Sequence, residues 1–193
     1  MSLILASASA IRRQMLRSAG VEFDAIASAV DEDSIKAQGK APAALAAQLA
    51  QAKALSVSRT SPEAWVIGSD SVVSVESRLF GKPGGRGEAA EHLRFFSAQA
   101  MQLTSAVALA RGSAVDWSHV QTAILHVRPL SDAFIADYLD AEWPEVGYTV
   151  GVFRLEGPGV QLFDKIEGDY FTVLGMPLIP LLSALRERGL LQQ

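Results

Sequence analysis

The sequence predicts an α/β fold built on a mixed, twisted sheet flanked by helices, and three observations carry that expectation. Short apolar runs of strand length alternate with longer segments in helical register. Two long runs at 102–110 and 115–128 are joined by the turn RGSA and read as a hairpin, which makes an otherwise parallel arrangement mixed. A length of 193 residues with 49% apolar and 20% charged residues suits one substantial core and argues against disorder.

The elements follow in order. Residues 3–5 read as a buried strand. Residues 10–19 read as a helix, with Ile11, Met15 and Leu16 on one face, Ser9 at the N-cap position and Gly20 at the stop. A second strand over 21–27 leads into the acidic turn VDEDS at 30–34. An alanine-rich helix covers about 42–57, with Pro42 in its first turn and Leu45, Leu49, Ala52 and Leu55 in register. Residues 64–68 form a buried strand that runs into SDSVVSV, and FGKPGGRG at 80–87 breaks the chain. A helix over about 88–96 precedes the hairpin, and Ser131 caps a helix over 132–140. The last third alternates short apolar pieces with glycines before a closing helix that ends near Gly189. No repeat, low-complexity tract or linker interrupts this pattern, so a single domain over 1–193 is expected, with room for a cleft between two lobes.

Composition narrows the function classes. With 17 basic residues against 21 acidic ones the net charge is -4, so no global basic field exists to hold a nucleic acid backbone, and no nucleic acid partner is expected. A local anion pocket stays open. The absence of cysteine excludes disulfides, thiolate metal sites and a cysteine nucleophile. No basic segment precedes the first apolar run, that run is too short for a signal peptide core, and no stretch approaches the ~20 apolar residues of a membrane span. A cytoplasmic protein without a membrane partner is the expectation.

Candidate chemistry begins at LASASAIRRQML, residues 5–16. A helix N-terminus presents unpaired N–H groups and a partial positive charge, so an anion is favoured there, and Ser7, Ser9, Arg12 and Arg13 could add hydroxyl and guanidinium donors. Ser9 reads equally as a plain N-cap and the arginines as solvated. Asp31, Glu32 and Asp33 could hold a hard divalent cation together with substrate phosphates, or form a solvated acidic turn. Asp70 ends the apolar run WVIG, at the carboxyl end of a strand where open α/β sheets bind ligands; a turn or cap aspartate is the plainer alternative. Lys82, in FGKPGG, sits in a glycine-rich turn that lacks the GxxxxGK[ST] pattern, and could reach a phosphate or remain a surface lysine. Lys53 lies within the alanine-rich helix and could face solvent or a cleft. His92, His119 and His126 accompany neither GxSxG nor HExxH and read as structural or surface residues. Trp65, Trp117 and Trp143 read as core or rim aromatics.

Taken together these pieces resemble the Maf family of nucleoside triphosphate pyrophosphatases, also labelled septum formation inhibitors. LILASASAIRR resembles the family's N-terminal SxSxxRR pattern, VIGSDSVV its G[AS]D[TQ]V strand, FGKP its GKP turn, and EGDYFTVLGMPL its C-terminal signature. The resemblance covers nearly the whole chain. It implies a Maf/ITPase-like fold with two lobes around a deep cleft, a divalent cation (Mg²⁺ or Mn²⁺), and hydrolysis between the α and β phosphorus atoms of a nucleoside triphosphate. By position, Asp70 matches the family's proton acceptor. Ser7, Arg12, Arg13, Lys53 and Lys82 match phosphate-contacting residues, and Glu32, with Asp70, matches the acidic residues associated with the metal. The family also implies a homodimer and a house-cleaning role against non-standard or excess nucleotides.

Departures fall on positions that bear on substrate. Ala10 replaces a usual proline, Ile11 stands where better-known subgroups have arginine or tryptophan, and Ser71 replaces threonine or glutamine. Glu156, in LEGPG, matches the glutamate of the 7-methyl-GTP pyrophosphatase subgroup, and a carboxylate can accept hydrogen bonds from the Watson–Crick edge of guanine. The sequence therefore leans toward 7-methyl-GTP, with a dTTP/UTP pyrophosphatase and a non-enzymatic, nucleotide-binding regulator of cell division as the alternatives.

Overall fold

The computed structural model describes residues 2–192. The chain begins with β1 (Leu3–Leu5), α1 (Ala10–Ser18), β2 (Asp24–Ala25), α2 (Glu32–Lys36), α3 (Pro42–Ser58) and β3 (Trp65–Val75). It continues through β4 (Arg78–Phe80), α4 (Arg86–Phe96), β5 (Ala100–Arg111), β6 (Ala114–Val127) and α5 (Asp132–Glu142). Two 3₁₀ turns, Glu145–Tyr148 and Pro158–Leu162, lead to β7 (Phe163–Glu167), α6 (Tyr170–Val173) and α7 (Leu178–Glu187). The strands form a mixed sheet in the order β2-β1-β3-β5-β6-β7, with β4 paired to β3, as the α/β expectation required. No helix among the described residues is long and apolar enough to cross a membrane.

The chain folds into two compact units. The first comprises residues 2–71, 104–121 and 169–192. Its core joins Leu5 of β1, Leu16 of α1, Ile67 of β3, Leu109 of β5 and Leu181 of α7, all almost wholly buried. β1 pairs parallel with β3, with Leu3 opposite Trp65 and Leu5 opposite Ile67. Beyond Ile67, β1 has left the sheet, and the chain at Ser7 turns into α1 beside the continuing β3. The second unit comprises Val72–Leu103 and Thr122–Gly168. In it Phe80, His92 and Phe96 pack edge to face or tilted, and Tyr138 donates to the carbonyl of Val152 at 3.0 Å.

Three expectations need correction. The strand expected over 21–27 shrinks to two residues: Asp24 and Ala25 pair in register with Ile4 and Leu5 on β1, and the pairing ends with the Ile26 amide donating to the Leu5 carbonyl at 3.0 Å. The acidic stretch 30–34 is not a simple turn: the Asp31 carboxylate accepts from the Ser34 amide at 3.1 Å and starts α2. Asp70 does not end a strand but lies inside β3, which runs on because Val72, Val73 and Val75 are buried in turn. The short strand β4 escaped detection because its tight turn places Glu76 and Ser77 at φ 50° and 66°, without the Asn-Gly signature that usually marks such a turn. The hairpin at Gly112–Ser113, with φ 56° and 68°, carried that signal in its glycine.

Gly68 sets how closely α3 approaches β3. A Cβ there would lie 2.1 Å from the Ala50 carbonyl oxygen and 2.5 Å from the Ala54 amide nitrogen, so α3 rests directly on the bare backbone of β3. Side chains alternate along a strand, so Gly68 and Asp70 share that face, and α3 brings Lys53 to it. Gly68→Ala is expected to destabilise the protein by about 3 kcal/mol, at the upper end for overpacking because backbone must yield. Urea denaturation compared with wild type measures this, and a loss below about 1 kcal/mol would show that α3 can lift off without cost.

Candidate active site

The Lys53 side chain enters from α3 into a nearly closed environment, with the residue 9% and Asp70 8% exposed. Its ammonium stands 2.5 Å from Asp70 Oδ1 and 2.7 Å from Glu32 Oε1. A buried ammonium or carboxylate is strongly unfavourable alone and acceptable when paired with good geometry. Here β3, α3 and α2 each supply one member, and one positive charge faces two negative ones. The second Glu32 oxygen accepts from Lys36 at 3.1 Å, one helical turn later on α2. Burial pushes the Glu32 carboxyl up, but hydrogen bonds and attraction from Lys53 and Lys36 outweigh it and hold its pKa at about 2, against an ordinary 4.5.

The turn from β1 into α1 lies in the same unit. Ser7 is buried and its Oγ accepts from the Ser9 amide at 3.2 Å, while Ser9 Oγ caps α1 by accepting from the Arg12 amide at 3.4 Å. The expected N-cap is therefore present. Arg13 is half-buried and donates through Nη2 to the Ala8 carbonyl at 3.1 Å, at the mouth of the helix N-terminus. Arg12 donates to the carbonyls of Gly175 and Ser69, both at 2.9 Å, and to Ser71 Oγ at 3.2 Å. Burial lowers its pKa, against the attraction of Asp70 and Glu32, so its guanidinium stands in their field. Arg12, Lys53, Asp70 and Glu32 thus share one neighbourhood of charge, and Ser7 belongs to the same unit.

The remaining candidates are placed differently. Ile11 is half-buried on α1, next to Arg12 in sequence, and Ser71 is half-buried and hydrogen-bonded within the unit. Lys82 and Glu156 belong to the second unit, both exposed: Lys82 between β4 and α4, Glu156 ahead of the second 3₁₀ turn. The loop bearing Glu156 is anchored by Arg154, whose Nε and Nη2 donate to Glu142 Oε2 at 3.0 and 2.9 Å, and Glu142 is 5% exposed. That anchor was not anticipated; its sequence signal was the LEGPG glycines, since a Cβ at Gly159 would lie 2.5 Å from the Arg154 carbonyl oxygen. Gly175, Ser105 and Thr172 were also missed, because two of them act through backbone carbonyls that carry no side-chain signature. The histidines stay outside this cluster: His92 packs on Phe80, His119 lies beside Trp117, and His126 Nε2 meets Glu167 at 2.8 Å.

The donor set fits a hard divalent cation in one respect. Two carboxylates from separate elements converge on a single positive centre, and Mg²⁺ typically takes one or two carboxylates and completes its shell with phosphate oxygens and water. No group of three or more histidine, aspartate or glutamate side chains gathers for a metal among the described residues, so phosphate oxygens would have to supply the rest.

The chain is similar to known proteins over nearly its whole length. The profile of a family described as "Maf-like protein" matches residues 2–188. The chain is 50% identical to a 7-methyl-GTP pyrophosphatase of Rhizobium meliloti, over 97% of this chain and 96% of the relative. It is 45% identical to a nucleoside triphosphate pyrophosphatase of Sphingopyxis alaskensis, over the full length of both.

The Glu32 ion pair makes stability depend on acid. A carboxyl with a lowered folded pKa stabilises the fold above its ordinary value and loses that contribution as pH falls through the folded one. In metal-free protein, Glu32→Gln is expected to melt below wild type at pH 6. The gap should close as pH falls from about 4.5 toward about 2. A gap that stays constant over this window in paired thermal melts would remove Glu32 from the ion cluster.

Proposed function

The chain belongs to the Maf family, and on that premise we propose that it hydrolyses the α–β phosphoanhydride bond of a nucleoside triphosphate, giving a nucleoside monophosphate and pyrophosphate. The observation that carries this reading is the Asp70 carboxylate, fixed through Oδ1 by the buried Lys53 ammonium within the unit that also bears the capped N-terminus of α1. Orientation is most of what such a reaction asks of a protein, since positioning and charge neutralisation dominate phosphoryl chemistry.

In this reading Asp70 accepts through Oδ2 a proton from a water whose oxygen bonds to the α phosphorus, and pyrophosphate departs with the electron pair of the broken P–O bond. Ser7, the amides opening α1 and the Arg13 guanidinium hold phosphate oxygens, as a helix N-terminus with adjacent cationic donors can. A divalent cation, Mg²⁺ or Mn²⁺, held by Glu32 and Asp70 would neutralise charge on the phosphates when bound. The substrate base favoured here is 7-methylguanine. Glu156 offers a carboxylate to the N–H edge of a guanine, and its loop is held in place by the Arg154–Glu142 pair.

Incubation with Mg²⁺ or Mn²⁺ and a panel of 7-methyl-GTP, GTP, dTTP, UTP, CTP and ITP, with pyrophosphate as the readout, tests the reading. The expected result is release from 7-methyl-GTP above all others. Preference for dTTP and UTP would overturn the base assignment, and no release from any nucleotide would overturn the activity. Asp70→Asn is expected to lower kcat by roughly 10²- to 10⁴-fold, the scale of a lost general base, while circular dichroism stays unchanged. Retained turnover would move the base elsewhere.

A further inference from the structure

Arg12 stands in sequence beside Ser7 and Arg13, in the position of a phosphate contact, yet its fork is occupied by protein. A guanidinium carries five N–H donors in a rigid plane. Three of them end on the Gly175 carbonyl at 2.9 Å, the Ser69 carbonyl at 2.9 Å and Ser71 Oγ at 3.2 Å. Ser69 and Ser71 flank Asp70 on β3, so one side chain grips the strand on both sides of the proposed base. Bonds from Nε, Nη1 and Nη2 together fix the plane of the fork as well as its place.

The acceptors are themselves tied down. Ser105 Oγ donates to the Thr172 carbonyl at 2.8 Å and lies 2.8 Å from Ser71 Oγ. Each hydroxyl has a single hydrogen: Ser71 accepts from Arg12 and has both Ser105 Oγ at 2.8 Å and the Gly175 carbonyl at 3.1 Å within reach of its own. Thr172 is anchored in turn by Asp169, whose Oδ2 accepts from its amide at 2.7 Å and its hydroxyl at 3.1 Å. Ser69 Oγ lies 2.8 Å from the Ala106 carbonyl and 3.1 Å from that of Gly175, and Gly175 adopts φ 104°, a conformation open mainly to glycine. Four separated stretches of chain, α1, β3, β5 and the segment around α6, are thereby joined through one guanidinium.

The geometry points to Arg12 as a positioning residue: it sets the backbone on either side of Asp70 and leaves phosphate binding to Arg13 and the α1 amides. Lysine cannot substitute for it, since one ammonium cannot span acceptors placed in three directions, although lysine serves well as a point charge for phosphate. The kinetic part of the test rests on the pyrophosphatase reading; the binding and exchange parts do not.

Kinetics of the best nucleotide and calorimetric binding of inorganic pyrophosphate with Mg²⁺ are compared for wild type, Arg12→Lys, Arg12→Gln and Ser71→Ala. Both Arg12 variants are expected to lose roughly 30-fold or more in kcat, with KM and the pyrophosphate Kd within about threefold of wild type. A pyrophosphate Kd raised roughly tenfold in Arg12→Gln and restored in Arg12→Lys would make Arg12 a phosphate ligand and overturn the proposal. Ser71→Ala keeps the arginine and removes one acceptor, so it tests the tether if the Arg12 variants fold poorly. A kcat lowered roughly threefold to tenfold at constant KM supports the tether, and an unchanged kcat overturns it. If wild type turns over no nucleotide, the proposed function falls, and the tether is judged by amide hydrogen exchange. Faster exchange confined to 69–71 and 172–176 in Arg12→Lys supports it, and unchanged exchange there overturns it.

Discussion

The first unit is arranged around one costly object, the Lys53 ammonium buried under α3. An ammonium in that position is tolerable only if anionic partners reach it, and two do, from β3 and from α2. This requirement constrains several elements at once. α3 must lie close enough to β3 for a lysine to touch Asp70, which is why the strand presents a glycine at 68. α2 must form at all, a five-residue helix with no buried residue of its own, so its place depends on Glu32 and its cap rather than on a core. Charge, rather than apolar area, decides where this part of the chain goes.

The same arrangement links stability to chemistry. Lys53 and Lys36 together balance the two carboxylates, so charge is compensated within the cluster rather than left in excess. Replacing a buried ion cluster by apolar residues of similar volume is often neutral or stabilising. The presence of three ionic groups therefore speaks for a role beyond holding the fold.

Much of this was legible in the sequence, and the limits have physical reasons. Ser9 as the cap of α1, Ser131 as the cap of α5 and the glycine-bearing hairpin turn at 112–113 follow from local chemistry, and they appear where their residue types put them. Asp70 stood out because a carboxylate within an apolar run is costly to bury. Its partner did not, since Lys53 follows Leu45 and Leu49 at helical spacing on an apolar stripe where a cation is not expected, and only the packing of α3 on Gly68 shows that it enters the buried face. Arg12 shows a different limit: its residue type and its neighbours suggested a phosphate contact, while the acceptors it meets are largely backbone carbonyls from distant segments. Backbone acceptors carry no letter. α2 and β4 were obscured for a similar reason, one being a short helix held by ion pairs and the other depending on a turn formed by Glu76 and Ser77 rather than by glycine.

β3 meets different neighbours on alternate residues. Gly68 and Asp70 face α3, while Ser69 and Ser71 bond toward Ala106, Ser105 and Gly175. Because the alternation has period two, inserting or deleting one residue between Ile67 and Ser71 would exchange the two sets, setting the carboxylate among carbonyl oxygens and a serine opposite the ammonium. Point substitutions at either face alter one contact, whereas a shift in frame inverts them all. Letters and length are therefore both constrained here: Gly68 has no room for a Cβ, Asp70 meets the Lys53 ammonium, and the single residue between them keeps the two on one face of β3.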